Sequence, residues 1–220
     1  MSLYLPEPTG VGAPVRLVEC GEPLIDVGTV GTLARPARPG PGPFLRSALV
    51  DRLVAAQTIL PPGLRLTVVG GWRPAGAGPC RVGLDSGRVR RAGMVDRIIR
   101  RAPAEADPHL TGAAVDLTLC DAAGVEFALG SGLYARPEEC DGACHTASPL
   151  VPPEPRARRL LLVHALTTMN LVNYPSAWWH WSYGDLHWAA VTGSAVARYG
   201  PVPGPLPPTD PAGPAVRITG

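Results

Sequence analysis

His109, Asp116 and His180 are the residues whose types and setting could hold a metal ion. In "HLTGAAVD" (109–116) an imidazole and a carboxylate are separated by Gly112. If a strand begins near Ala113, Asp116 points to the face opposite Val115 and Leu117, and a turn at Gly112 brings His109 back toward the same face. A carboxylate within an otherwise apolar strand is costly to bury unless it is paired or bound to a metal. In "SAWWHWSYGD" (176–185) His180 is framed by Trp178, Trp179 and Trp181. Two imidazoles and one carboxylate make a three-ligand zinc site with a fourth position open for water. The competing reading is a satisfied core His180 and an Asp116 hydrogen-bonded to a turn, and spacing leaves both open.

These residues need elements to carry them. "FLRSALVDRLVAAQTIL" (44–60) places Leu45, Leu49, Leu53, Leu60, Val50, Val54 and Ala56 on one apolar stripe, stopped by Pro61, Pro62 and Gly63, and predicts a helix. "LRLTVVG" (64–70) reads as a buried strand that delivers "GGWRP" at its end. "SGRVRRAGMVDRIIRR" (86–101) is an amphipathic helix interrupted by Gly93. "AAVDLTLC" (113–120) alternates as a half-buried strand, residues 130–153 form an irregular loop, and "PRARRLLLVHALTTMNL" (155–171) is a second long helix. "WWHWSYG" and "HWAAV" read as consecutive strands joined by a turn. Before all of these, "PVRLVEC" (14–20) suggests an edge strand and "ARPARPGPGP" (34–43) an extended linker.

Length and composition bound the rest. The 220 residues suit one domain, expected over 1–198, with a Pro- and Gly-rich disordered tail over 199–220. A formal net charge of +2 gives no field suited to nucleic acid or anionic lipid, so a small partner fits better. Without a basic patch, the tryptophans read as core and cleft wall rather than a base-stacking platform. No signal peptide or long apolar run is visible, which predicts a cytoplasmic protein with no membrane partner. Cys20, Cys80, Cys120, Cys140 and Cys144 form an odd set without CxxC spacing and read as unpaired thiols. Cys140, Cys144 and His145 crowd one loop without a nearby fourth ligand, and His164 reads as a core or boundary histidine.

The motifs also carry a resemblance. "HLTGAAVDLTL" resembles the HxxGxAxD zinc motif of the D-alanyl-D-alanine dipeptidases of vancomycin resistance. "AWWHWSYGDLHWA" resembles their ExxH segment, and "GGWRP" their Asp-Gly-Tyr-Arg-Pro segment. The likeness runs in order from about residue 15 to 195. It implies an α+β domain of the D,D-peptidase and hedgehog-like kind, with a central antiparallel sheet flanked by helices and one zinc ion in a small cleft. It further implies that His109, Asp116 and His180 bind the zinc, that Arg73 stabilises the developing oxyanion, and that the substrate is a small D,D-dipeptide of cell-wall chemistry. Asp107, where the family commonly has a serine, and Tyr183 become substrate-binding candidates, although Asp107 could equally cap a turn beside Pro108.

One departure stands out. Ala177 occupies the position of the family's glutamate, which takes a proton from the attacking water and returns it to the leaving amine. A methyl group can do neither. Three accounts remain open: an alanine introduced to disable hydrolysis; a natural variant whose base is another residue, such as Glu138, Glu139, Asp141, His145 or His187; or a zinc site kept for binding or for a different Lewis-acid reaction. The sequence leaves antibiotic resistance, cell-wall recycling and biosynthesis open as roles, and it leaves the oligomeric state open too.

Overall fold

A computed structural model describes residues 15–34, 44–74 and 107–204. Its architecture is α+β. Strands β4 (Arg65–Gly70), β5 (Ala114–Cys120), β6 (Val172–Tyr174) and β7 (Ala177–Ser182) form a four-stranded antiparallel sheet in the order β4-β5-β7-β6. Two small sheets stand beside it. Strand β2 (Leu24–Asp26) pairs antiparallel with β3 (Phe44–Arg46), and β1 (Arg16–Leu17) pairs parallel with β8 (Val196–Ala197). Helices α1 (Ser47–Gln57), α2 (Pro153–Thr168) and α3 (Leu186–Thr192) complete the described elements.

Helix α1 buries Leu49, Val50, Leu53 and Ala56, the stripe expected of it, and packs against α2. It starts three residues later than the apolar spacing suggests. Leu45 pairs with Ile25 in the sheet, and the Arg46 amide donates to the Gly112 carbonyl, so strand pairing claims the first residues. Helix α2 begins at Pro153, where the missing N–H of proline has no helical acceptor to lose. It exposes His164 to solvent, correcting the expected core or boundary position. It buries Arg159 instead, whose guanidinium donates to the carbonyls of Leu129, Ala143 and His145 at 2.5–2.7 Å. One side chain thus clamps the irregular loop to α2.

Strand β5 departs from its half-buried pattern, because all seven residues are buried. Both faces are covered, so Asp116 and Thr118 sit in protein rather than water. "HWAAV" is not a strand but part of α3. The Asp185 side chain accepts from the Trp188 amide at 2.7 Å as an N-cap, and Gly193 closes the helix at φ 73°. A five-residue apolar run carries too little periodicity to separate the two forms, and the cap decides.

Packing also continues past the expected domain end. Tyr199 is buried, the Val202 amide donates to the Leu110 carbonyl at 2.9 Å, and Trp72 donates to the Val202 carbonyl at 3.1 Å. Residues 205–220, the expected helix over 86–101, Cys80 and most of the 34–43 linker lie outside the described residues.

Candidate metal centre

The centre is built on one rung of the sheet. Asp116 on β5 lies directly across from Gly70 on β4 and from His180 on β7. His109 reaches the same place from a short 3-10 turn, Pro108–Thr111, that ends at Gly112 with φ 67°. Only a residue tolerant of the left-handed region makes that turn without strain, and an added Cβ would meet Leu24 at 2.3 Å. The alternation of β5 and the Gly112 turn therefore converge as the spacing suggests.

His180 Nδ1 lies 2.9 Å from Asp116 Oδ1 and 3.2 Å from His109 Nε2, and His109 Nε2 lies 3.3 Å from Asp116 Oδ2. All three side chains are buried, and their ligand atoms fall within 4.8 Å of one another. His109 Nδ1 is 2.8 Å from the Gly71 carbonyl, which can only accept. That nitrogen carries the proton, so Nε2 turns a lone pair to the centre. A backbone-oriented imidazole of this kind is the usual support for a metal-ligating histidine.

Burial alone would raise the Asp116 carboxyl, but the facing imidazoles of His109 and His180 hold it well below the usual carboxylate range. Burial lowers the His180 imidazole, although Asp116 opposes the shift. An ionised carboxylate beside two imidazoles, of which burial disposes His180 to be neutral, is a donor set a zinc ion takes. The residues present fit the metal.

Arg73 stands at the rim. Its amide donates to the His109 carbonyl at 3.3 Å, and its guanidinium lies 3.7 Å from Asp116 Oδ2 with its side chain 12% exposed. Asp107 caps the 3-10 turn by accepting from the His109 amide at 2.9 Å. Ala177 opens β7, 1% exposed, with its carbonyl accepting from Asn173 Nδ2 at 3.2 Å. The register slips beside it, since Tyr174 pairs with Ala177 rather than with His180. That slip is an irregularity in the β6–β7 pairing between Asn173 and Tyr174.

Tyr183 is not brought to the cluster. Its hydroxyl accepts from Arg52 at 2.7 Å, and its ring packs on Trp188 and Tyr199. The other expected bases are held as follows. Glu138 pairs with Arg136, Glu139 accepts from the Arg136 amide, and Asp141 and His145 line an open groove with Pro149 and Pro175. His187 is buried behind Tyr174, its Nε2 3.4 Å from the Asn173 carbonyl, and burial with His180 nearby pushes its imidazole down to about 4.

Cys20, Cys120, Cys140 and Cys144 are free thiols. Burial and the neighbouring Cys140 sulfur push the Cys144 thiol up to about 12, so it stays protonated. Among the described residues, His109, Asp116 and His180 are the one group disposed to hold a metal. Trp178, Trp179 and Trp181 are buried.

Sequence reasoning missed Tyr134, whose hydroxyl donates to Asp116 Oδ2 at 3.1 Å. It lies in a loop without periodicity, and no local spacing marks it.

Two comparisons bear on the site. The model of the peptidase M15 family, described as D-ala-D-ala dipeptidase, matches residues 48–194. The D-alanyl-D-alanine dipeptidase of Escherichia coli (strain K12) is 38% identical over 72 residues. That alignment covers 33% of this chain and 35% of the relative, so the chain spans about a third of that relative's length.

Proposed function

From the premise that this chain belongs to the D-ala-D-ala dipeptidase family, we propose that it holds one zinc ion on His109, Asp116 and His180 and acts on a small D,D-dipeptide, with hydrolysis impaired at Ala177. The observation that carries the reading is the convergence of three buried ligand atoms within 4.8 Å. The proposal extends to a fold of the D,D-peptidase and hedgehog-like kind, supported by the antiparallel sheet that bears the cluster.

When bound, zinc supplies Lewis-acid polarisation and a water activated near neutral pH. The chain's own residues supply the rest. Arg73, held by the His109 carbonyl at the end of β4, offers fixed donors to charge developing on a substrate oxygen. Asp107 uses one oxygen as a cap and keeps acceptor capacity for a substrate ammonium. Ala177 has nothing with which to accept or return a proton. General acid–base assistance is typically worth about 100-fold to 10,000-fold, or roughly 3 to 5.5 kcal/mol of barrier.

The same alanine favours a second reading, a zinc-site protein that binds its ligand without hydrolysing it. Zinc content of the purified chain, followed by D-Ala-D-Ala hydrolysis with and without Ala177→Glu, separates the two. One equivalent of zinc and a gain of about 100-fold or more in the glutamate form is the expected result for a dipeptidase lacking its base. No gain in a zinc-loaded variant supports the binding protein. Absence of zinc overturns both.

A further inference from the structure

We propose that Tyr134 is a positioning residue of the metal centre: its hydroxyl occupies one oxygen of Asp116 and so limits that carboxylate to a single ligand atom. The inference rests on the zinc reading above. The Tyr134 hydroxyl donates to Asp116 Oδ2 at 3.1 Å, while Oδ1 faces His180 Nδ1 at 2.9 Å. Oδ2 also lies 3.3 Å from His109 Nε2 and 3.7 Å from the Arg73 guanidinium, and the Tyr134 hydroxyl is the nearest of these three groups to it.

The surroundings are shaped to this bond. Gly70, across the rung from Asp116, leaves room for it: an added Cβ would stand 3.0 Å from Asp116 Oδ2 and 3.1 Å from the Tyr134 hydroxyl. Tyr134 itself has φ 61°, a backbone conformation that bulky L residues rarely adopt. Its ring meets Trp179 edge-on at 5.8 Å, on the strand that carries His180. An uncommon backbone conformation, a missing Cβ and an aromatic contact all place one hydroxyl at one carboxylate oxygen.

The chemical consequence concerns coordination. A carboxylate can bind a metal through one oxygen or both, and a bond to one of them from outside the coordination sphere opposes the second mode. A one-oxygen Asp116 with two imidazoles would offer a small ion three ligand atoms and leave a further position for water. A two-oxygen Asp116 would raise the coordination number and suit larger, harder ions.

The test uses the full chain, zinc competition against a chromophoric chelator, and the visible spectrum of the cobalt-loaded protein. Tyr134→Phe removes one oxygen and keeps the ring against Trp179. The expected result is about 10- to 100-fold weaker zinc binding, a smaller preference for zinc over manganese, and loss of the intense absorption of four-coordinate cobalt. Gly70→Ala, which keeps the phenol and intrudes on its bond, is expected to shift the cobalt spectrum in the same direction and decides the matter should Tyr134→Phe fail to fold. A folded Tyr134→Phe with unchanged affinity and spectrum overturns the role of Tyr134 and leaves the zinc reading standing. A wild-type chain that takes neither zinc nor cobalt overturns the zinc reading and this inference with it.

Discussion

Two buried polar clusters lie on either side of the 3-10 turn that carries His109, and they are satisfied in opposite ways. On one side Arg46, 1% exposed, spends its guanidinium on the chain itself. It donates to the carbonyls of Thr111 at 2.7 Å and Gly200 at 3.2 Å and to Glu19 at 3.0 Å, also reaches the Glu22 carbonyl, and lies over the Tyr199 ring at 5.0 Å. On the other side His109, Asp116 and His180 point ligand atoms at one another. A donor surrounded by acceptors is complete as it stands, and its work is to tie the two ends of the described chain to the turn. Lone pairs brought to one point repel unless a proton or a cation lies between them. Buried polar groups are therefore satisfied by the chain itself in the first case and disposed to take a metal in the second.

Asp116→Asn removes the anionic ligand while keeping the shape of the side chain, and metal analysis is expected to fall from one equivalent of zinc to none, with the fold retained by circular dichroism. A variant that still binds zinc stoichiometrically would mean that these lone pairs are not a metal site.

Arg46→Met is the complementary change. It strands the carbonyls of Thr111, Glu22 and Gly200, each worth about 1 kcal/mol or more when left unpaired, whereas Glu19 is exposed enough to rehydrate. A loss of about 3 kcal/mol in denaturant unfolding is expected, with zinc stoichiometry unchanged in the folded fraction. Loss of metal without loss of stability would reverse the roles assigned to the two clusters.

Asp185 and His187 belong to neither kind, because each is buried with one polar atom that finds no hydrogen-bond partner among the described residues, Oδ2 and Nδ1. Burial raises the Asp185 carboxyl to about 6, so its folded state gains a proton first and it stabilises the fold as pH falls from about 6 toward 4. Burial lowers the His187 imidazole to about 4, so the unfolded state gains the proton first and stability is lost as pH falls from 6.5 toward 4. The two oppose each other across one window. His187→Leu is expected to remove the loss and leave the gain, making the variant the more acid-tolerant protein by up to about 3 kcal/mol near pH 4, at about 1.4 kcal/mol per unit. Parallel stability curves for the two proteins between pH 7 and 4 would show that His187 is not held neutral by burial.

Much of this was legible before any coordinates. The stripe of α1 and the strand leading to "GGWRP" are local patterns, and the period of two in β5 marks which of its residues share a face, although the packing that covers both faces left no such mark. His109 and Asp116 were also within reach of local reasoning, since a glycine turn and an alternating strand relate them over seven residues. The alanine at 177 needed only the motif around it.

Other features had no local trace. That "HWAAV" is helical depended on the Asp185 cap, and that Phe44–Arg46 is strand depended on pairing with Leu24–Asp26. Tyr134 reaches Asp116 from a loop whose course is held by Arg159 of α2, 25 residues further along the chain. By itself the sequence determined which residue types could ligate a metal and that position 177 carries a methyl group with no proton to give or take, because residue type carries that chemistry wherever the side chain lies. Tertiary structure alone decided that Gly70, Asp116 and His180 share a rung, that Tyr183 turns to Arg52, and that a tyrosine hydroxyl meets the carboxylate. Strand register and loop path arise from contacts between residues distant in sequence, and those contacts leave no periodic mark on the chain.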